Sequence, residues 1–134
     1  MIKLGAAVTF ALAATLAQAE ARVPLSQDRQ LEDGLTLVAI GHELTEACPE
    51  ISPRYFKSLN FALGLQTRAK QLGYSDSEIE AYLDSEPDKA RVEARARSYL
   101  EARGADFSQP ATLCRVGRAE IAQGTSVGGF LKVN

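Results

Sequence analysis

The chain has 134 residues, and its 15 lysines and arginines stand against 17 aspartates and glutamates, so that its formal net charge is −2. A near-neutral chain with both signs interspersed lacks the basic face that nucleic-acid-binding proteins and proteins bound to anionic membranes carry. It contains one histidine and no tryptophan, two residues that catalytic and binding sites favour.

Three features of the amino terminus match a secretory signal peptide. Lys3 supplies a positive charge, residues 4–16 form an apolar run, and Ala17-Gln18-Ala19 is a small-x-small cleavage site. The run is shorter than the ~20 residues that cross a bilayer as a helix, so we expect no stable membrane insertion once it is removed. The sequence therefore predicts a signal peptide at residues 1–19, export to the periplasm or secretion, and a single helical domain at residues 20–134.

Helix signals recur along this domain, whereas alternating strand patterns do not. We therefore expect an all-α fold, a compact bundle of four or five helices clipped by one disulfide. The first helix, predicted over residues 28–47, is apolar on two sides and therefore belongs at the centre of the bundle. Its two faces consist of Leu31, Leu35 and Val38, and of Leu37, Ile40, Leu44 and Cys48.

The second helix is predicted to open at Ser52-Pro53, because serine caps free amides and proline has none to leave unpaired. Gly73 is predicted to close it. Ser75 and Glu78 form a capping box for a short third helix. We expect the apolar tail after residue 124 to dock as one more helical turn. The second helix has two apolar sides, formed by Phe56, Leu59 and Leu63 and by Phe61, Leu65 and Leu72. The remaining boundaries are predicted at Ser85, Gly104, Ser108 and Gly124.

Cys48 and Cys114 are the only cysteines, and an oxidising compartment would allow them to pair. The closed loop would hold ~65 residues, for which the loop-entropy model gives about 4 kcal/mol of stabilisation. Redox catalysis is the alternative, but the chain has no Cys-x-x-Cys and no cue for thiolate activation. Two sulfurs and one histidine match no zinc motif, so we predict a structural disulfide, no metal and no cofactor.

Four side chains are candidates for a ligand-binding or pH-sensing site. His42 lies on the apolar side of the first helix, where it would act as a general base or pH sensor in a cleft. We favour instead a partly buried histidine that is hydrogen-bonded to a carboxylate or to the backbone. Arg54, Arg115 and Arg118, with Arg68, would bind an anion if their helices converge, although exposed arginines on helix faces are ordinary.

A pair of carboxylates offers another route to catalysis, as in glycoside hydrolases. Several of the acidic residues cluster at predicted helix beginnings, where the helix macrodipole stabilises negative charge without any catalytic role. We therefore assign no catalytic residue. The residues in question are Asp76, Glu78, Glu86 and Asp88.

Four stretches of the chain resemble an uncharacterised family of small exported alphaproteobacterial proteins, domain of unknown function 5333. The resemblance covers nearly all of the domain, including both cysteines. It implies an exported, helical, single-domain protein and supplies no activity. The stretches are GLTLVAIGHELTEAC, ISPRYFKSLNFALGLQTRAKQLGYSDSEIEAYL, ARSYLEARGAD and LCRVGRAEIAQGTSVGGFLK.

These observations favour a non-catalytic binding or interaction protein in the periplasm, whose partner is an unknown protein or small ligand and not a nucleic acid. One alternative is an acid- or stress-responsive periplasmic chaperone, since such chaperones are also helical with one disulfide, a likeness of architecture alone. Another is a small enzyme that uses His42 or a carboxylate pair. The enzyme hypothesis requires a cavity beside these groups.

Overall fold

A computed structural model describes residues 21–134, and the predicted signal peptide at residues 1–19 lies outside this part of the chain. Five α-helices and one two-stranded sheet make up the described fold, which confirms the all-α prediction. None of the described helices has the length and apolar character that crossing a membrane requires. The elements are α1 (Arg29–Ala47), β1 (Ile51–Pro53), α2 (Tyr55–Gln71), α3 (Asp76–Asp84), α4 (Glu86–Glu101), α5 (Pro110–Gln123) and β2 (Leu131–Val133), with 3-10 turns at Leu25–Gln27 and Gly128–Phe130.

Helix α1 lies at the centre and packs against α2, α4 and α5, as its two apolar faces predict. Asp28 caps it by accepting a hydrogen bond from the Leu31 amide. Two hydrophobic clusters lie along its length. The smaller, near the start of α1, contains Leu25, Leu31, Leu65, Ala69 and Ile79. The larger, near its end, includes Ile40, Leu44, Cys48, Ile51, Ala96, Leu100, Leu113, Val116 and Leu131.

A disulfide joins Cys48, the residue after α1, to Cys114 in the first half of α5. The two Cα atoms are 5.2 Å apart, within the range that a disulfide requires. Cys48 is completely buried in the larger cluster. The predicted pairing is therefore confirmed.

The prediction that Ser52-Pro53 opens the second helix is wrong, because both residues belong to strand β1. A residue before proline is biased toward extended backbone, and proline is tolerated at the edge of a sheet where no amide is needed. Strand β1 pairs antiparallel with β2, so that Ser52 lies opposite Lys132. The carboxyl-terminal tail therefore forms a 3-10 turn followed by this second strand, instead of the expected turn of helix alone.

Candidate binding groove

An apolar groove runs along the outward face of α1, between α2 on one side and α3 with the start of α4 on the other. Three adjoining cavities of about 340, 220 and 370 Å³ form it, and all three share Val38 as a lining residue. We call it the α1 groove. Its floor is Leu35, Val38 and His42, its α2 wall includes Ala62 and Leu63, and its opposite wall includes Tyr82, Leu83 and Val92.

The crest of the α2 wall is a row of large apolar side chains in solvent. Phe56, Leu59 and Leu63 are 78%, 42% and 50% exposed, and their spacing of three and four residues aligns them on one face of the helix. We call these three residues the α2 stripe. Of the two apolar sides predicted for this helix, only the opposite one packs inward, through buried Leu65 and half-buried Phe61.

Exposed apolar surface is concentrated at this groove. Eight large apolar side chains are exposed in the described part of the chain, and five of them are the α2 stripe, Val38 and Leu83. Single exposed apolar residues need no explanation, but a contiguous patch rimmed by polar residues marks an interaction site. The groove and its crest together form such a patch.

A buried carboxylate holds the wall opposite α2 in place. Glu32, on the side of α1 away from solvent, accepts hydrogen bonds from the Tyr82 hydroxyl and from Arg91, whose Nη2 lies 2.9 Å from Oε1. Burial, together with the hydrogen bond to Glu32, raises the pKa of Tyr82 above its ordinary value. Arg91 also donates to Asp88 at 2.6 Å. This network fixes α3 and α4 to α1 and thereby sets the width of the groove.

The same wall is acidic. Lys89 pairs with Glu86 at 2.9 Å, and this hydrogen bond raises the pKa of the lysine, with smaller contributions from the charges of Asp84 and Glu93. Among residues 21–134, no ion pair neutralises Asp84 or Glu93. The rim opposite α2 therefore carries unbalanced negative charge.

His42 lies on the floor of the groove and borders two of its cavities. Its side chain is exposed, and no hydrogen bond within the described residues reaches its ring, so the favoured interpretation of a partly buried, bonded histidine is wrong. Since a cavity adjoins it, the condition that would exclude a catalytic His42 is not met. The residues that line the two cavities beside it are mainly apolar, which suits contact with a ligand.

The four arginines that were candidates for an anion-binding patch each contact a different partner. Arg54 donates to the carbonyl of Leu131 at 3.1 Å, and Arg68 donates to Asp28 at 2.7 Å. The others lie on α5, where Arg115 reaches the carbonyl of Gly104 and Arg118 pairs with Glu50. Only Arg115 and Arg118 share an element, and the structure uses each of the four in a local contact.

One group of side chains in the described residues has the spacing of a metal site. The ligand atoms of Cys48, Glu50 and Cys114 lie within 4.8 Å of one another. Both sulfurs belong to the disulfide, and the Glu50 carboxylate pairs with Arg118, so the group as it stands offers no thiolate. The donor chemistry therefore does not fit a resident metal ion.

Comparison with known proteins gives a family and nothing beyond it. A family model described as a family of unknown function, DUF5333, matches residues 23–132. Neither the curated proteins nor the solved structures contain a match to the chain.

Proposed function

Because the chain belongs to DUF5333, a family of unknown function, we propose a function from the groove itself. The protein is an exported, non-catalytic interaction protein, and its α1 groove binds the apolar face of a basic helical segment. The observation that carries this proposal is the concentration of exposed apolar side chains around Val38.

The shape and lining of the groove suit a helix. Amphipathic helices bind in apolar grooves through side chains spaced three, four and seven residues apart. Helices α2 and α4 flank the exposed face of α1, and apolar side chains line the space between them. The acidic rim formed by Asp84 and Glu93 favours a segment that carries lysine or arginine beside its apolar face.

The proposal that the protein is exported rests on its amino-terminal sequence. The charge of Lys3, the apolar run at residues 4–16 and the small-x-small site before Glu20 support a cleaved signal peptide. The Cys48–Cys114 disulfide is in keeping with an oxidising compartment such as the periplasm.

The test is binding of a fluorescently labelled model helix built from leucine and lysine. Val38 and Val133 provide a matched pair of variants, since both are 46% exposed and only Val38 lines the groove. We expect Val38→Asp to weaken binding at least ~10-fold, because it places a charge on the apolar floor. Val133→Asp should bind as the native protein does. No binding by the protein in its monomeric state, or equal binding by Val38→Asp, would contradict the proposal.

A further inference from the structure

We propose that a second copy of this chain supplies the helix that binds in the α1 groove. Helix α2 of each copy inserts its stripe into the groove of the other, which gives a dimer with two-fold symmetry. This inference rests on the proposed function, because it requires that the groove accept a helix.

The α2 stripe has the apolar side chains, and the start of its helix has the positive charge, that the groove is proposed to bind. Phe56, Leu59 and Leu63 supply anchors at positions i, i+3 and i+7, the pattern of a helix that binds in an apolar groove. Helix α2 has no acidic residue, and of its basic residues Arg68 pairs with Asp28 and Lys70 pairs with Asp76, whereas Lys57 has no ion pair within the described residues. With Arg54 and Lys57 at its start, it is therefore a helix with an exposed apolar stripe and a basic amino-terminal end.

The two sides of the groove carry opposite charge. Residues 76–93 form the wall opposite α2, and three of their acidic residues, Glu80, Asp84 and Glu93, lie in no ion pair within the described part of the chain. On the α2 side, Arg54 and Lys57 donate to the backbone carbonyls of Leu131 and Gly129, contacts that leave their positive charges unbalanced. The patch thus has a basic side, an apolar centre and an acidic side.

Such a patch is complementary to itself under one symmetry operation. A two-fold axis that runs parallel to the groove, between the stripe and the groove floor, turns the basic side of one copy toward the acidic side of the other. The same rotation places each α2 stripe over Val38 and Leu83 of the partner copy. Apolar burial and charge pairing are then satisfied twice, once at each groove.

The first measurement is the mass of the purified, disulfide-bonded protein in solution, by light scattering and sedimentation over a range of concentrations. We expect the native protein and Val133→Asp to be dimers. Leu59→Asp, which places a charge in the stripe, and Val38→Asp, which places one in the groove floor, should each be monomers with native helix content. Both positions are exposed, so neither change should prevent folding.

Mixing provides the sharper test. Leu59→Asp keeps an intact groove, because Leu59 lines none of the three cavities, and Val38→Asp keeps an intact stripe. An equimolar mixture should therefore form a heterodimer that retains one of the two contacts. Lys57→Glu should weaken the native dimer about 3- to 10-fold by removing an attraction at each groove, whereas Lys132→Glu on β2 should leave it unchanged.

The outcomes separate the inference from the proposed function. A native protein that is monomeric at every concentration and still binds the leucine–lysine helix overturns the dimer and leaves the groove with an external basic partner. A dimer that survives both Leu59→Asp and Val38→Asp also overturns the inference, because it must use another face. A native protein that is monomeric and binds no helix contradicts both the dimer and the proposed function.

Discussion

Asp28 acts on two helices through one carboxylate. Its Oδ1 accepts the amide of Leu31 at 3.0 Å and so caps α1, while its Oδ2 accepts Arg68 of α2 at 2.7 Å. The side chain is buried, and the hydrogen bond from Arg68 is the main reason that the pKa of Asp28 lies below its ordinary value. One short side chain therefore fixes both the start of the central helix and the position of α2 beside the groove.

Two substitutions at Asp28 separate these roles. Asp28→Ala removes the cap and the ion pair, and we expect it to lower the free energy of unfolding by about 1–2 kcal/mol. Asp28→Asn keeps an oxygen for the Leu31 amide but loses the charge and the second oxygen that accepts Arg68, so its loss should be smaller than that of Asp28→Ala. Urea unfolding of the two variants measures the difference; equal losses would show that the cap contributes nothing.

The lowered pKa of Asp28 also fixes a pH dependence. A carboxyl whose pKa is lower in the folded state stabilises the fold above its unfolded pKa, and this contribution is lost as the pH falls through the folded pKa. The gap in stability between the native protein and Asp28→Asn should therefore be largest near neutral pH and should close below about pH 4. A gap that stayed constant from neutral to acid pH would contradict the ion pair.

At the scale of elements, boundaries set by local chemistry could be predicted from the sequence. Ser75 and Glu78 make both bonds of the capping box, and Gly73, Gly104 and Gly124 adopt positive φ at or just beyond helix ends, as expected. Strand β1 could not be predicted, because its partner β2 lies about 80 residues away and Ser-Pro also suits a helix start. Pairing across that distance leaves no signal in a local window.

The α1 groove could not be predicted from the sequence for a related reason. Helical spacing assigns Val38 and the α2 stripe to apolar faces, but spacing alone does not tell which faces find a partner within the chain. The sequence does show that α2 has apolar residues on two sides, five of them within its bounds, although it packs on the rest of the protein with one side only. A peripheral helix with two apolar sides therefore predicts an interaction surface.

The carboxyl-terminal turn depends on a close approach that only glycine allows. A Cβ on Gly128 would overlap the backbone carbonyl of Glu120, whereas a Cβ on Gly129 would meet the flexible Nζ of Lys57 at 3.3 Å. We expect Gly128→Ala to lower the free energy of unfolding by about 1–3 kcal/mol, because the turn must move away from α5 and take β2 with it. Gly129→Ala, the matched control, should stay within about 0.5 kcal/mol of the native value in urea unfolding. Equal stability of the two variants would contradict this account.

At the scale of the whole molecule, two links between distant parts of the sequence lie next to each other, the disulfide and the pairing of β1 with β2. The disulfide joins the end of α1 to α5, and β1, which follows three residues after Cys48, pairs with the last strand of the chain. The backbone amide of Asn134 adds a hydrogen bond of 2.8 Å to the carbonyl of Glu50. Segments that are far apart in sequence are thus held against the larger hydrophobic cluster by covalent and non-covalent contacts together. The disulfide could be predicted because two cysteines leave one pairing, whereas the sheet could not.

Reduction of the disulfide measures how much the covalent link contributes to the stability of the fold. The bridged residues are 66 positions apart, so the loop-entropy model gives a loss of about 4 kcal/mol on reduction. That loss corresponds to a fall in Tm of roughly 10–20 °C for a domain of this size. Since β1 and β2 hold the same region, we expect the reduced protein to remain helical at 25 °C and to unfold on mild heating.

Circular dichroism with and without reductant measures this change in Tm. The double variant Cys48→Ala/Cys114→Ala is the control, because reductant should not affect it. If Tm stays unchanged once both thiols are shown to be free, the non-covalent contacts alone hold these segments together and the disulfide does not stabilise the fold.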